Sequence, residues 1–229
     1  QQGLVANYDG ICNLGPYSPH STAGVFWHDS SYRNVPMRAR KDIGSDDVFF
    51  GWTDKGYRFA VTRYSPFKTV GPIDLGYNFT IQACMDTPPG SAQTQGRSGD
   101  YWPTYFGMPD DHGMFTDKNG TELIWKMDNF LYDNKGSYPR AKLADFSGKY
   151  INAVVTESNV KLFQDTIIPT GVKNKKKKTV DGQTLTIGGP NADNEDDVKK
   201  RTINGDYYAF RIYNRSLSQA ETEQNRKVD

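Results

Sequence analysis

From residue 99 the sequence reads GDYWPTYFGMPDDH, a run that sets aromatic rings beside carboxylates. Neutral sugars are held by this combination: the C–H faces of a sugar ring stack on an aromatic ring, while carboxylates and amides fix the hydroxyls. Asp100, Tyr101, Trp102, Tyr105, Asp110 and Asp111 are therefore the candidate ligand-binding residues. If the run is a strand, Tyr101 and Tyr105 share one face and Trp102 and Phe106 the other. One pair can then face a ligand while the other enters the core. Lys175 to Lys178 form a basic run that suits sulfated glycans or an anionic surface, although such a run is more often a solvated loop. His20, His28 and His112 form no i, i+4 pair and have no neighbouring cysteine, so no transition-metal site is predicted. The chain has neither a G-x-S-x-G nucleophile elbow nor a phosphate loop.

These residues must be carried by a scaffold, and composition narrows which one. The 229 residues suit one all-β domain and are short for two. Hydrophobic residues make up 36%, aromatics 13%, and there are 22 Gly and 12 Pro, the profile of aromatic strands joined by many turns. A net charge of +1 gives no global field toward nucleic acid or an anionic membrane. No apolar run approaches the ~18 residues of a spanning helix, so no membrane insertion is expected. The chain opens at Gln1 rather than Met, which suggests a mature form or an excised domain. Cys12 and Cys84 fit neither a zinc pattern nor a redox CxxC; one disulfide or two thiols both remain open.

Several segments alternate at period two, the signature of half-buried strands. In FTIQACM, Phe79, Ile81, Ala83 and Met85 face one way and Thr80, Gln82 and Cys84 the other. In TELIWKM, Leu123, Trp125 and Met127 oppose Ile124 and Lys126. YINAVVTESNVKLFQD reads as a hairpin turning near Glu157, Ser158 and Asn159, and QTLTIGG as a short strand. In YYAFRIYN, Tyr208, Phe210 and Ile212 are expected on one face, with Tyr207, Ala209, Arg211 and Tyr213 on the other. Ser218 and Glu221 form a capping box that opens the one convincing helix. NADNEDDVKKRT, 191 to 202, reads as a solvated loop, as do 86 to 100 and 171 to 183.

FRIYNRSLSQAETEQN, 210 to 225, resembles the closing strand and capped helix of LamG-like, concanavalin A-like jelly-roll domains. Other landmarks follow in that family's order. GLVANYDGICNLG from residue 3 is similar to its opening strand, and YNFTIQACM from 77 to an early sheet strand. FSGKYINAVVTESNVKLFQD from 146 is similar to its hairpin, and LTIGG from 185 to the strand before the last connection. The resemblance implies an all-β, two-sheet antiparallel jelly-roll sandwich with a short C-terminal helix, residues 1–229 forming a single domain.

By the same resemblance, the expected function is non-catalytic, lectin-like carbohydrate binding in an extracellular or surface-displayed protein. The partners would be a glycan or surface polysaccharide and the other domains of a larger chain, with no nucleic acid. The alternative is a structural or adhesion module that binds protein, as in bacterial surface or phage fibre proteins. Such domains often hold calcium at the sandwich rim. Here Tyr208 stands where the family has an Asp, leaving Asp206, with Asp193 and Asn191 of the oxygen-rich NADNED run, as the calcium ligands to test. Glycoside hydrolases sharing the fold carry Glu-x-Asp-x-x-Glu on one strand; here the nearest run is Glu195, Asp197 and Lys200, which lacks the last carboxylate and strand character.

Overall fold

The computed structural model describes residues 2–10, 26–40, 50–52, 59–61, 66–86, 103–110, 112–117, 121–127, 138–142, 149–157, 159–164, 172–173, 181–194, 197–198, 201–203 and 205–227. Their strands, numbered along the chain, form two antiparallel sheets of eight strands each. Sheet I runs β14 (Val172–Lys173), β13 (Asn159–Gln164), β12 (Lys149–Val155), β7 (Phe79–Asp86), β16 (Gly205–Tyr213), β5 (Phe59–Val61) and β4 (Phe50–Trp52). Its eighth strand, β1 (Leu4–Asp9), pairs with the second half of β16, while β5 pairs with the first. Sheet II runs β11 (Arg140–Lys142), β10 (Glu122–Lys126), β9 (His112–Thr116), β8 (Thr104–Met108), β15 (Thr186–Ile187), β6 (Phe67–Thr69), β3 (Met37–Ala39) and β2 (Phe26–Trp27).

The inner faces meet as the alternation predicts. Phe79, Ile81, Ala83 and Met85 of β7 enter the core opposite Leu123, Trp125 and Met127 of the β10 segment. Aromatic pairs bridge the sheets: Phe79 with Trp125, Tyr8 with Trp27, and Phe106 stacked on Phe210 at 5.6 Å between centroids. Each such ring contributes about 1.5–3 kcal/mol by leaving water. The hairpin of β12 and β13 turns where expected, with the Thr156 amide donating to the Asn159 carbonyl at 2.8 Å.

Among the described strands three register shifts break the alternation, one of them between Leu4 and Ala6 of β1, and the other two each re-aim a tyrosine. The register of β16 against β7 slips between Tyr207 and Ala209, so Tyr207 turns into the core with Phe210 and Ile212. Tyr208, expected on that face, is half-buried instead. The register of β8 against β9 slips between Thr104 and Phe106, and Tyr105 and Phe106 both enter the core. A bulge sets two residues against one, so a side chain that alternation would turn outward goes inward. Burial pushes the Tyr207 phenol well above its ordinary pKa, and the neighbouring Tyr105 adds to the effect.

The C-terminal helix (Gln219–Lys227) forms as its capping box requires. The Glu221 amide donates to Ser218 Oγ at 3.3 Å, and the Ser218 amide donates back to Glu221 Oε2 at 2.8 Å. Arg215 pairs with the same carboxylate at 2.7 Å. The helix lays Thr222 and Asn225 on the outer face of sheet I. There Asn225 Nδ2 donates to Gln82 Oε1 at 3.1 Å and to the Tyr213 hydroxyl at 2.9 Å, while Gln82 Nε2 donates to the Thr222 carbonyl at 3.1 Å.

The described residues between 189 and 202 fold over the outer face of sheet II, which corrects the expectation of a solvated loop for that part of NADNEDDVKKRT. Asn194 caps a helical turn, its Oδ1 accepting from the Asp197 amide at 3.3 Å. Val198 is fully buried, and the Arg201 guanidinium lies 5.2 Å from the Phe115 ring centre. The sequence does hold the signal: an Asn cap, then acidic residues, then basic ones, the charge order that suits a helix dipole. Glycine lets the segment settle. A Cβ on Gly107 would lie 2.7 Å from the Asn191 amide nitrogen and 2.9 Å from the Gly189 carbonyl oxygen. The residues 86 to 100 fall outside the described residues except for Asp86, and Lys175 to Lys178 entirely so; Val172–Lys173 of the expected second loop pair as a strand.

Candidate ligand-binding site

Of the residues expected to bind ligand, the structure describes Tyr105 and Asp110. Tyr105 is 2% exposed and faces the opposite sheet from the bulge in β8, so it offers no surface for stacking. Asp110 is exposed at the tip of the β8–β9 hairpin with φ of 60°, a left-handed turn conformation that Asp tolerates. Asp100, Tyr101, Trp102 and Asp111 lie outside the described residues.

Asp206 sits in sheet I, its backbone between Asp86 and Ala60. Asn191 and Asp193 belong to the segment over sheet II, where Asn191 Nδ2 donates to the Thr184 carbonyl and Asp193 approaches Lys68. Among the described residues no group of three or more His, Cys, Asp or Glu side chains is arranged to hold a metal ion. Asp197 stands on a helical turn rather than a strand, so the alternation that would align catalytic carboxylates is missing there. Cys84 is half-buried on β7, and Cys12 lies outside the described residues.

What the fold does assemble is a groove of about 430 Å³ on the outer face of sheet II, lined by Arg38, Ala39, Arg40, Lys68, Thr69, Val70 and Asp193. Its size falls in the ordinary range for ligand sites, about 300–1,000 Å³. Strands β3 and β6 make the floor, and their register sets Arg38 directly opposite Lys68. Alternation explains why these charges face out: Met37, Ala39 and Phe67 between and beside them go to the core. The 191–194 stretch forms one wall. It is tied down by Arg40, whose Nη1 donates to the Ala192 carbonyl, and by the Asn191–Thr184 hydrogen bond. Asp193 leans from that wall, its Oδ1 4.0 Å from Lys68 Nζ. On the other side β2 pairs Phe26 with Arg38, and the guanidinium carbon lies 5.9 Å from the Phe26 ring centre. His28 continues the aromatic edge, 6.5 Å from Phe26.

Sequence reading missed Arg38, Arg40 and Lys68. They lie in short segments that sequence reading did not single out, and nothing local says that β3 and β6 pair, or which residue opposes which.

No family model and no curated protein sequence matches the chain. Solved structures do match. Domain 4 of AbnA, an extracellular arabinanase from Geobacillus stearothermophilus solved with arabinotriose, superposes with a TM-score of 0.60 at 13% identity, covering 96% of this chain and 97% of that one. The fold is concanavalin A-like. Trypanosoma rangeli sialidase, solved with sialic acid, matches this sandwich at a TM-score of 0.60 and 16% identity, over 98% of this chain and 32% of its own. The ligand-binding domain of botulinum neurotoxin serotype D, solved with N-acetylneuraminic acid, gives 0.61 at 10% identity, over 99% and 51%. The chain thus spans about a third of the sialidase and half of the neurotoxin domain. At such identities these likenesses establish the architecture alone.

Proposed function

We propose that this concanavalin A-like chain is a non-catalytic carbohydrate-binding module of a larger extracellular or surface-displayed protein, with residues 1–229 as one domain. The observation that carries the reading is the groove over β3 and β6, where Arg38, Lys68 and Asp193 offer hydrogen bonds beside the Phe26 edge. Structural neighbours solved with arabinotriose and with N-acetylneuraminic acid support it. Among its described residues the groove holds one carboxylate, Asp193. Glycoside hydrolysis by a carboxylate pair needs a second at roughly 5–9.5 Å. Binding without bond cleavage is therefore the chemistry these residues support.

A glycan array probed with the full chain, once with calcium and once with chelator, tests this. Selective binding is expected. Its loss in chelator would restore the rim calcium expected from the family resemblance, and silence under both conditions would sink the carbohydrate reading in favour of a protein-binding module. Trp102→Ala measured on the same array tests whether the 99–112 run adds a second contact: lost binding with unchanged melting would establish it, and lost stability would place Trp102 in the core.

A further inference from the structure

We infer that the groove over β3 and β6 selects an acidic saccharide, whose carboxylate or sulfate sits between Arg38 and Lys68; this rests on the carbohydrate-binding reading above. The chain as a whole carries a net charge of +1, yet among the described residues the groove lining holds Arg38, Arg40 and Lys68 against one carboxylate, Asp193. The positive charge is therefore a local feature of this face.

The register makes the concentration costly to the free protein. Arg38 and Lys68 are direct cross-strand partners, and like charges in that relation repel. Asp193 does little to offset this, since it stands at 4.0 Å from Lys68 Nζ with its side chain 97% exposed. Arg40 is 7% exposed and directs Nη1 to the Ala192 carbonyl, so it shapes the wall. Arg38 is exposed, and Phe26 lies under its guanidinium.

A stacked, weakly hydrated guanidinium is well suited to grip a carboxylate or sulfate through two parallel N–H bonds. Lys68 lies one strand away, about 4.8 Å in the sheet, and adds a point charge to the same anion. An anion there relieves the Arg38–Lys68 repulsion, which a neutral sugar leaves in place. Asp193 remains as an acceptor for the sugar's hydroxyls, and the Phe26 edge lies on the far side of Arg38 from Lys68.

The test is calorimetric titration of the full chain with three matched probes: a uronate oligosaccharide, its carboxyl-reduced neutral counterpart and a sulfated oligosaccharide. At least one acidic probe is expected to bind about tenfold or more tightly than the neutral one, with the preference shrinking at high salt. The acidic probe that binds identifies the anionic group. Arg38→Ala and Lys68→Gln should each erase the preference while leaving the melting temperature close to that of the parent. Lys68→Gln carries the test alone if Arg38→Ala fails to fold. Equal affinity for acidic and neutral probes overturns this inference and leaves carbohydrate binding standing. Binding of none of the three overturns both. A preference that survives the substitutions also overturns it, because the anion then sits elsewhere.

Discussion

On the outer face of sheet I, Thr80, Gln82 and Tyr213 are buried under the C-terminal helix and the turn that precedes it, and buried Arg211 donates to Asn7 Oδ1. On the outer face of sheet II, Arg38 and Lys68 border a groove, and the centre of the sheet holds Gly107 and Gly113. Both faces come from the same period-two alternation, with polar or small residues set against an apolar inner face. They differ in what covers them. Sheet I receives a helix whose Asn225 and Thr222 bond Gln82 and Tyr213 beneath it, while the buried Asn152 Oδ1 beside Gln82 makes no hydrogen bond. Sheet II receives a backbone segment that lies on Gly107, and Asp193 of that segment borders the groove. Polar groups bonded to a covering helix lend stability, while exposed charges beside a groove are available for recognition.

Four substitutions sharpen or break that contrast. Gly113→Ala should have the largest effect: φ is 143° and the new Cβ would collide with the Phe106 carbonyl oxygen. A loss of about 3 kcal/mol is expected in urea unfolding, and wild-type stability would mean that the centre of sheet II is not built as described.

Asn225→Ala removes the donor to both Gln82 and Tyr213 and should cost about 1–3 kcal/mol, a fall in melting temperature of roughly 2–4 °C per kcal/mol. Binding in the groove should be unchanged; a binding defect would tie the two faces together and end the division proposed here.

Lys68→Gln should act the other way, changing stability by no more than about 0.5 kcal/mol while weakening ligand binding. A large loss of stability would assign Lys68 to the scaffold.

The smallest effect is a pH effect on the helix cap. Hydrogen bonds from Arg215, then from the amide and hydroxyl of Ser218, lower the Glu221 pKa from 4.5 to about 2. A carboxylate held below its unfolded value stabilises the fold above the unfolded pKa and loses that contribution as the pH falls toward the folded one. The melting advantage of the parent over Glu221→Gln should therefore be full at pH 7, shrink between about 4.5 and 2, and vanish below. A pH-independent gap would show that the charge on Glu221 is irrelevant to the cap.

Much of the scaffold was legible because its signals are local. The alternation of Phe79 to Met85 names the core face of β7 with no knowledge of its partners, and the Ser218–Glu221 box announces the helix start. The helical turn after Asn194 was equally local and was overlooked because its residues are polar and the segment is short. The candidate site was the least legible part. The aromatic and acidic run was the strongest local cue, yet the bulge in β8 turned Tyr105 inward. A bulge depends on the register of a neighbouring strand, and no spacing within a strand encodes it.

By itself, then, the sequence determined which side chains share a face in strands without a bulge, such as β7, where the hairpin of β12 and β13 turns, where the C-terminal helix is capped, and that the product is an antiparallel sandwich. Each of these follows from contacts only a few residues apart or from the two-residue repeat of an extended chain. Only the tertiary structure decided that Arg38, Lys68 and Asp193, far apart in the chain, meet in one groove, and that Tyr105 and Tyr207 face each other's sheet from two bulges. Those placements are set by which strands pair and in what register. That register is chosen by the burial of the whole core at once, where a one-residue slip would turn every inward side chain to water.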